Sequence, residues 1–472
     1  MWVLLRRTAL STNVKERLDF SCALLDEEGR LVVNAPHVPV HLGALGVCVR
    51  KVSEGREWKR GDMVVVNHPR FGGSHLPDVT VVSPVFGPSE RVIAFVANRA
   101  HHSEIGGMAP GSMPGNASCL EEEGVVLSPQ LLLSEGEDHF EKIEELFRES
   151  RYPSRSVSEN LADLQAQAAS NLAGVRSMEA LLEEFGEDEV RSGITQLFGR
   201  ARSLMEKRLS RDGVWSAQDQ LDDGTPVCVR LTCQNGQLLV DFAGSGKRHL
   251  GNLNATEGVT RSAVLYALRL WLDEDFPLNE GLLERVTISA ADTFLQPEFP
   301  LVAENCPAVV GGNVETSQRI VEVVLRALEV GAESQGTMNN FLFGNESFGY
   351  YETIGGGSGA NEQGEGASGV HVHMTNTSIT DPVVLEYRFP VRLWEFSLRR
   401  GSGGAGQRRG GDGLVREVEF LAEMTVTLLT QRRMSSPRGL AGGEDGRAGE
   451  QWILTNPGRD SGRKKLLSLI HI

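Results

Sequence analysis

Cysteine and basic charge are both scarce in this chain. Its six cysteines, Cys22, Cys48, Cys119, Cys228, Cys233 and Cys306, form no CxxC pair and no dense framework, so a reducing cytosol is the natural setting and a disulfide-stapled module is excluded. Asp and Glu number 63 against 47 Lys and Arg, a formal charge of -16. Nucleic acids and anionic membranes reward a basic face, so neither is the main partner. Long apolar runs are missing as well. The opening MWVLLRRTALSTNVKER has only a short apolar stretch before its arginines, far short of a signal-peptide core or a membrane span. Nucleotide motifs fail in context. Gly401, Gly403 and Gly406 match GxGxxG, but the QRRGGDG that follows cannot open a phosphate-binding helix. Gly246-Lys247 resembles the end of a P-loop, yet Asp241 stands where the first glycine belongs and Arg248 where Ser or Thr should hold magnesium. No internal repeat is visible.

What is present is histidine, in one place. Of 11 histidines, His37, His41, His68, His75, His101 and His102 precede a chain that uses few afterwards. They surround GDMVVVNHPRFGGSHLPDVTVVSPVFGPSERVIAFVANRAHHSEIGG, in which Met63 to Asn67, Val79 to Phe86 and Val92 to Arg99 read as strands rich in Val, Ile and Phe. The turn Gly87-Pro88-Ser89-Glu90 joins the second and third as a hairpin of matched arms. Asp78 is therefore expected to face the neighbourhood of His101. One loop carries His68, His75 and Asp78, and the other carries His101, His102 and Glu104, so imidazoles and carboxylates meet at one edge. Neutral imidazole with carboxylate suits Zn, Mn or Fe, and an open position on such an ion polarises a carbonyl or acidifies water. A lone loop histidine is more often satisfied by hydrogen bonds than by a metal; the cluster favours a site.

With 472 residues the chain can build two or three packed layers. Phe20 to Val33 reads as two strands around Asp26-Glu27-Glu28-Gly29. Ser156 and Glu159 form a capping-box pattern, and Leu161, Leu164, Ala168, Leu172, Val175, Met178 and Leu182 recur at helical spacing before Gly186. A second amphipathic run through Leu209 completes a helical hairpin, for which packing is the expected role. Val227 to Thr232 and Gln237 to Phe242 pair across Gln234-Asn235-Gly236, while Thr260 to Leu272 and Ser317 to Val330 read as buried helices. His371 and His373 would share a face if His371-Val372-His373 were a strand, making a second ligand candidate. The fold class is α+β, a mixed multi-layer arrangement with a β-rich His-loop region (1–150), a helical hairpin (156–210) and a mixed α/β region (215–466) within one domain over 1–466.

The blocks TNVKERLDFSCALLD, NAPHVPVHLGA, NHPRFGGSHLPD, HHSEIGG, GGNVETSQR, GYYETIGGGSGA and GVHVHMTNTSITDP resemble the hydantoinase B family, and within it the 5-oxoprolinase branch, across nearly the whole chain. The resemblance implies a hydantoinase B-type fold and the B subunit or half of an ATP-dependent cyclic amide hydrolase, with ring opening of 5-oxo-L-proline to L-glutamate as the leading activity. Alternatives are an N-methylhydantoinase, an ATP-dependent ketone carboxylase subunit, or a non-catalytic scaffold. It implies a divalent ion, Mn or Zn, on His75, Asp78 and His102, with His101 next, and catalytic roles for Asp78 and Glu104. It also implies Mg-ATP on a partner A half, a cytoplasmic setting and an oligomer. Ser103 and Glu104 depart from the common HHADIGG, and the longer Glu arm puts its ligand role in question.

The ends carry one more expectation. Relatives extend beyond both, and LSLIHI at Leu467 to Ile472 reads as the translation of a transposase adapter used in library preparation. Such a tail should pack poorly, whereas a natural apolar strand is the alternative.

Overall fold

The computed structural model describes residues 1–34, 38–454, 463–466 and 470–471. Its largest sheet has 7 strands in the order β2-β1-β5-β4-β3-β6-β7, formed by β1 (Phe20–Asp26), β2 (Leu31–Asn34), β3 (Met63–Val66), β4 (Asp78–Phe86), β5 (Val92–His101), β6 (Gln130–Ser134) and β7 (Glu137–Asp138). Every strand read from the first 100 residues is present. β4 and β5 are buried along nearly their whole length, because helices cover a sheet whose central strands are rich in Val, Ile, Ala and Phe.

The main cover is the long helix α1 (Val157–Phe185), which turns at Gly186 (φ +83°) into α2 (Glu187–Arg208). The left-handed turn needs glycine, and it makes the expected helical hairpin. The capping box is not realised, since the Ser156 side chain makes no cap bond. Packing is also only part of the role of α1. Leu164, Ala168 and Met178 are buried, but so are Asn160, Asp163, Gln167, Ser170 and Asn171, while Leu172 of the predicted apolar stripe is exposed.

A second, 4-stranded sheet follows in the order β11-β10-β9-β8, built from β8 (Gly213–Gln220), β9 (Pro226–Gln234), β10 (Gln237–Asp241) and β11 (Val286–Ser289). Asn235 and Gly236 both take positive φ in the β9–β10 turn, as a two-residue hairpin demands. Helices α3 (Glu257–Leu272) and α4 (Ser317–Ala327) pack against one another. The largest core cluster runs from Val38 through Met205, Phe242 and Leu265 to Leu429, so all three sequence regions contribute to one apolar interior.

A further 4-stranded sheet contains Phe348–Thr353, Asn340–Asn345, Thr425–Leu429 and Ile470–His471, in that order. Ile470 pairs with Leu428 and His471 with Thr427, so the two described tail residues are strand-paired rather than loose; Leu467 to Leu469 and Ile472 lie outside the described residues. Gly401-Gly403-Gly406 leads into the strand Gly413–Phe420, not into a helix. Glycine serves packing there, because any side chain on Gly357 would strike the carbonyl of Gly411. Among the described residues all six cysteines are free and no helix is long and apolar enough to cross a membrane.

Candidate metal centre

His75 sits on the loop entering β4, Asp78 is the first residue of β4, and His101 is the last of β5. The strands pair with Asp78 opposite His101, the register expected from the matched hairpin arms. One ligand atom from each of His75, Asp78 and His101 lies within 4.8 Å of the others, and all three residues are buried. Asp78 Oδ2 accepts from Ser74 Oγ at 2.8 Å and lies 3.2 Å from His41 Nε2 and 3.3 Å from His75 Nε2. The last separation lacks hydrogen-bond geometry. Both ring nitrogens of His75 and Nε2 of His101 are consequently buried without a hydrogen-bond partner among the described residues. Unpaired buried nitrogens are costly, and a cation at one point answers His101 Nε2 and one of the two His75 nitrogens together.

The supporting residues hold the rings and loop in place. His101 Nδ1 is 2.9 Å from Asn13 Nδ2, and its ring stacks on Tyr351 with centroids 4.7 Å apart. The Arg17 guanidinium lies 4.5 Å from the Tyr351 ring and bonds to the Tyr351 carbonyl at 2.9 Å. His41 Nδ1 meets Ser21 Oγ at 2.9 Å, which fixes the ring that faces Asp78. Buried Arg99 donates to Thr80 Oγ1, Ser74 Oγ and the Gly72 carbonyl at 2.7, 3.0 and 2.8 Å. Asn67 donates to the Leu76 and Val125 carbonyls and accepts from the Leu127 N–H. A loop of Gly and Pro thus gains the rigidity of a regular element, which is how outer partners orient metal ligands.

His41, His75, Asp78 and His101 line a cavity of about 20 Å³ together with Asp19, Asn313, Tyr351 and an apolar wall of Val38, Val40, Val314, Met338 and Met374. That volume admits an ion with about one water and nothing larger. Burial holds the His41 imidazole below its ordinary pKa against the pull of Asp78, and burial together with His75 holds His101 well below. For Asp78, burial acts upward but His75 and His41 outweigh it, leaving the carboxyl well below the usual range. Neutral imidazole and ionised carboxylate are the states a divalent ion binds, so the residues fit one. Burial, reinforced by Asp78 and opposed by Arg17 and His75, pushes Asp19 up to about 7.

The structure separates other sequence candidates from this cluster. His102 turns to the α1 side, where its Nε2 is 3.1 Å from Gln167 Oε1 and its Nδ1 3.2 Å from Asn160 Nδ2. Strand alternation is the reason: His101 and His102 are consecutive and point opposite ways. Glu104 is occupied as a loop clamp, accepting from the Gly106 and Gly111 N–H groups at 2.6 and 2.9 Å and from Arg155 at 3.1 Å. His68 accepts from the Arg70 N–H, and His37 lies outside the described residues. His371 and His373 do not share a strand face. His373 takes φ +55° and meets Glu322 at 2.9 Å, whereas His371 lies 3.4 Å from Thr353 Oγ1. Asn13, Arg17 and Asp19 were not singled out by the reading of the residues. Their signal is the polar run TNVKERLD immediately before an apolar strand, all three being buried.

Residues 1–469 match the family model described as Hydantoinase B/oxoprolinase. The chain is 44% identical to 5-oxoprolinase 1 of Arabidopsis thaliana over 96% of this chain and 38% of that protein. It is 37% identical to an uncharacterized protein of Methanocaldococcus jannaschii, covering 96% of this chain and 82% of the relative. It thus spans about 38% of the plant 5-oxoprolinase. The crystal structure of the ATP-dependent caprolactamase from Pseudomonas jessenii superposes with a TM-score of 0.87 at 24% identity, covering 99% of this chain and 84% of that one, and shows the same fold.

Proposed function

The chain belongs to the hydantoinase B/oxoprolinase family, and from that premise we propose that it is the B half of a 5-oxoprolinase, the half in which the ring of 5-oxo-L-proline is opened to L-glutamate at the expense of ATP. The observation that carries this reading is the set of unpartnered ring nitrogens on His75 and His101 beside Asp78 in a water-sized cavity. His75, Asp78 and His101 would hold the ion, manganese or zinc. Bound there, it supplies Lewis-acid polarisation and acidifies water near neutral pH.

The chain's own residues do the rest. Asn13 fixes the orientation of His101, Ser74 and His41 fix that of Asp78, and the apolar wall keeps bulk water from the reacting atoms. An unstrained amide resists water at neutral pH, so the lactam must arrive activated. The 5-oxoprolinase relatives' extra length and the absence of a nucleotide motif here support Mg-ATP binding on an A-type half, in a cytoplasmic oligomer of the two. The assignments of His102 as a ligand and Glu104 as a catalytic group are set aside, because their polar atoms are already occupied.

Elemental analysis of the purified chain should give about one divalent ion per chain, and addition of the A half should produce ADP release that depends on 5-oxoproline. ADP release driven by N-methylhydantoin, or by a ketone with bicarbonate, would assign the chain to the other enzymes of the family. A chain free of bound ion, with a partner that is fully active alone, would reduce it to a scaffold.

A further inference from the structure

The turn that opens α4 presents a side chain to the cavity that none of these roles uses. Gly312–Thr316 forms a π-helical turn, a rare local geometry that recurs at functional sites. It is clamped from several sides. Ser317 Oγ donates to the Asn313 carbonyl at 2.5 Å, Thr316 Oγ1 donates to the Leu253 carbonyl at 2.7 Å, and Glu315 Oε1 accepts from Asn340 Nδ2 at 2.7 Å and the Met338 N–H at 3.1 Å. Any side chain on Gly312 would strike the Asn254 carbonyl, so only glycine lets the turn pack directly on that backbone. From this fixed turn Asn313 lines the cavity that holds His75, Asp78 and His101. The residue is 3% exposed, and its Oδ1 has no hydrogen-bond partner among the described residues.

An amide oxygen can only accept, so an unpaired buried Oδ1 asks for a donor. The available space identifies the donor. Beside an ion, a cavity of about 20 Å³ leaves room for about one water and keeps a lactam ring outside. The ring nitrogens of His75 and His101 face an ion on the reading above, and Asp78 Oδ2 already accepts from Ser74; Asn313 Oδ1, unpartnered, lines the cavity beside the Asp19 carboxyl and can accept from an O–H there. We propose that Asn313 is a positioning residue whose Oδ1 accepts a hydrogen bond from the attacking water and holds it beside the His75–Asp78–His101 cluster. This role rests on the hydrolytic reading of the site. Asn313 neither gives nor takes a proton; it fixes which way the water points, and thereby where the oxygen lone pair lies.

The test compares wild type with Asn313→Leu, which keeps the branched shape with larger methyl groups and no acceptor, and Asn313→Asp, which offers only acceptors. Each full chain is loaded with manganese, the ion is counted, and the exchange of its bound water is read by oxygen-17 relaxation; kcat and KM are then measured with the A half present. Asn313→Leu should keep its manganese, exchange water several-fold faster, and lose about 10–100-fold in kcat with KM for 5-oxoproline held within about twofold. Asn313→Asp should return to slow exchange. If Asn313→Leu fails to fold, Asn313→Ala carries the same comparison. Normal manganese uptake with unchanged exchange and kcat in the variants would overturn the role of Asn313 alone. A wild-type chain that takes up no ion would overturn the underlying metal reading, and this role with it.

Discussion

His101 and His102 are neighbours in the chain and both are buried, yet they face different sides of the same sheet. On the α1 side, His102 enters a ladder in which Gln167 Nε2 donates to the Val79 carbonyl and Asn98 Oδ1, Asn98 Nδ2 donates to Asn171 Oδ1, and Asn171 Nδ2 donates to the Val81 carbonyl. Both nitrogens of His102 are spent there. On the cavity side, His101 keeps Nε2 unpaired, and His75 keeps both of its nitrogens unpaired. Burial and residue type are the same on the two sides; the difference is unspent hydrogen-bonding capacity. A histidine whose valence is filled by amides is architecture, and one whose valence is open beside a carboxylate is a ligand in waiting.

The largest effect should come from the cavity side. His75→Ala or Asp78→Ala removes a ligand outright, and each variant is expected to lose its stoichiometric ion and more than about 100-fold in activity, exceeding the cost of losing an outer partner. Circular dichroism should show the fold retained. Full metal content in both variants would contradict the site. A smaller effect is expected one shell out: Asn13→Ala frees the His101 ring, His41→Ala frees Asp78, and each should weaken ion affinity by about 10–100-fold without abolishing it, as measured by competition with a chelator.

Changes on the α1 side should separate stability from chemistry. His102→Ala breaks two buried hydrogen bonds and is expected to cost about 1–3 kcal/mol for a partner left unpaired, visible in denaturant unfolding. Its ion content should equal that of wild type. Loss of the ion in His102→Ala with Asn13→Ala unaffected would reverse the comparison and return His102 to the ligand set.

How far the sequence disclosed this division follows from the range of each contact. The pairing of Asp78 with His101 is local, set by hairpin arms of equal length, and it was legible. So were the strand boundaries at Phe20, Met63 and Val92 and the end of α1 at Gly186, where composition and glycine act within a few residues. The choice between His101 and His102 depends on the parity of one residue at a strand end, and the HHSE motif alone contains nothing that fixes parity. Asp19 and Asn313 reach the cavity from segments nearly 300 residues apart in the chain, brought together by packing that no local period encodes. The helical hairpin was legible as a hairpin, but its apolar spacing concealed Asn160 and Gln167, because buried amides leave no periodic signature.

The smallest expected effect comes from a pair that lines neither face and serves as a control on them. His249 Nε2 bonds to Asp223 Oδ2 at 2.7 Å on a partly exposed loop. The bond to Asp223 raises the His249 pKa above 6.5, and the bond to His249 lowers Asp223 from 3.8 to about 2. The signs differ for the two groups. A raised His pKa gives stability that is complete below the unfolded value and lost as pH rises through the folded one; a lowered Asp pKa gives stability that is complete above its unfolded value and lost as pH falls toward about 2. The pair therefore contributes fully between the unfolded values of 3.8 and 6.5 and fades on either side. Asp223→Asn should lower the melting temperature most within that interval, by at most a few degrees as expected for an exposed pair, and the difference from wild type should shrink at alkaline pH. Metal content and activity should not change at any pH. A difference that grows as pH rises above 6.5 would contradict the assignment, and a loss of bound ion would show that the loop communicates with the cavity after all.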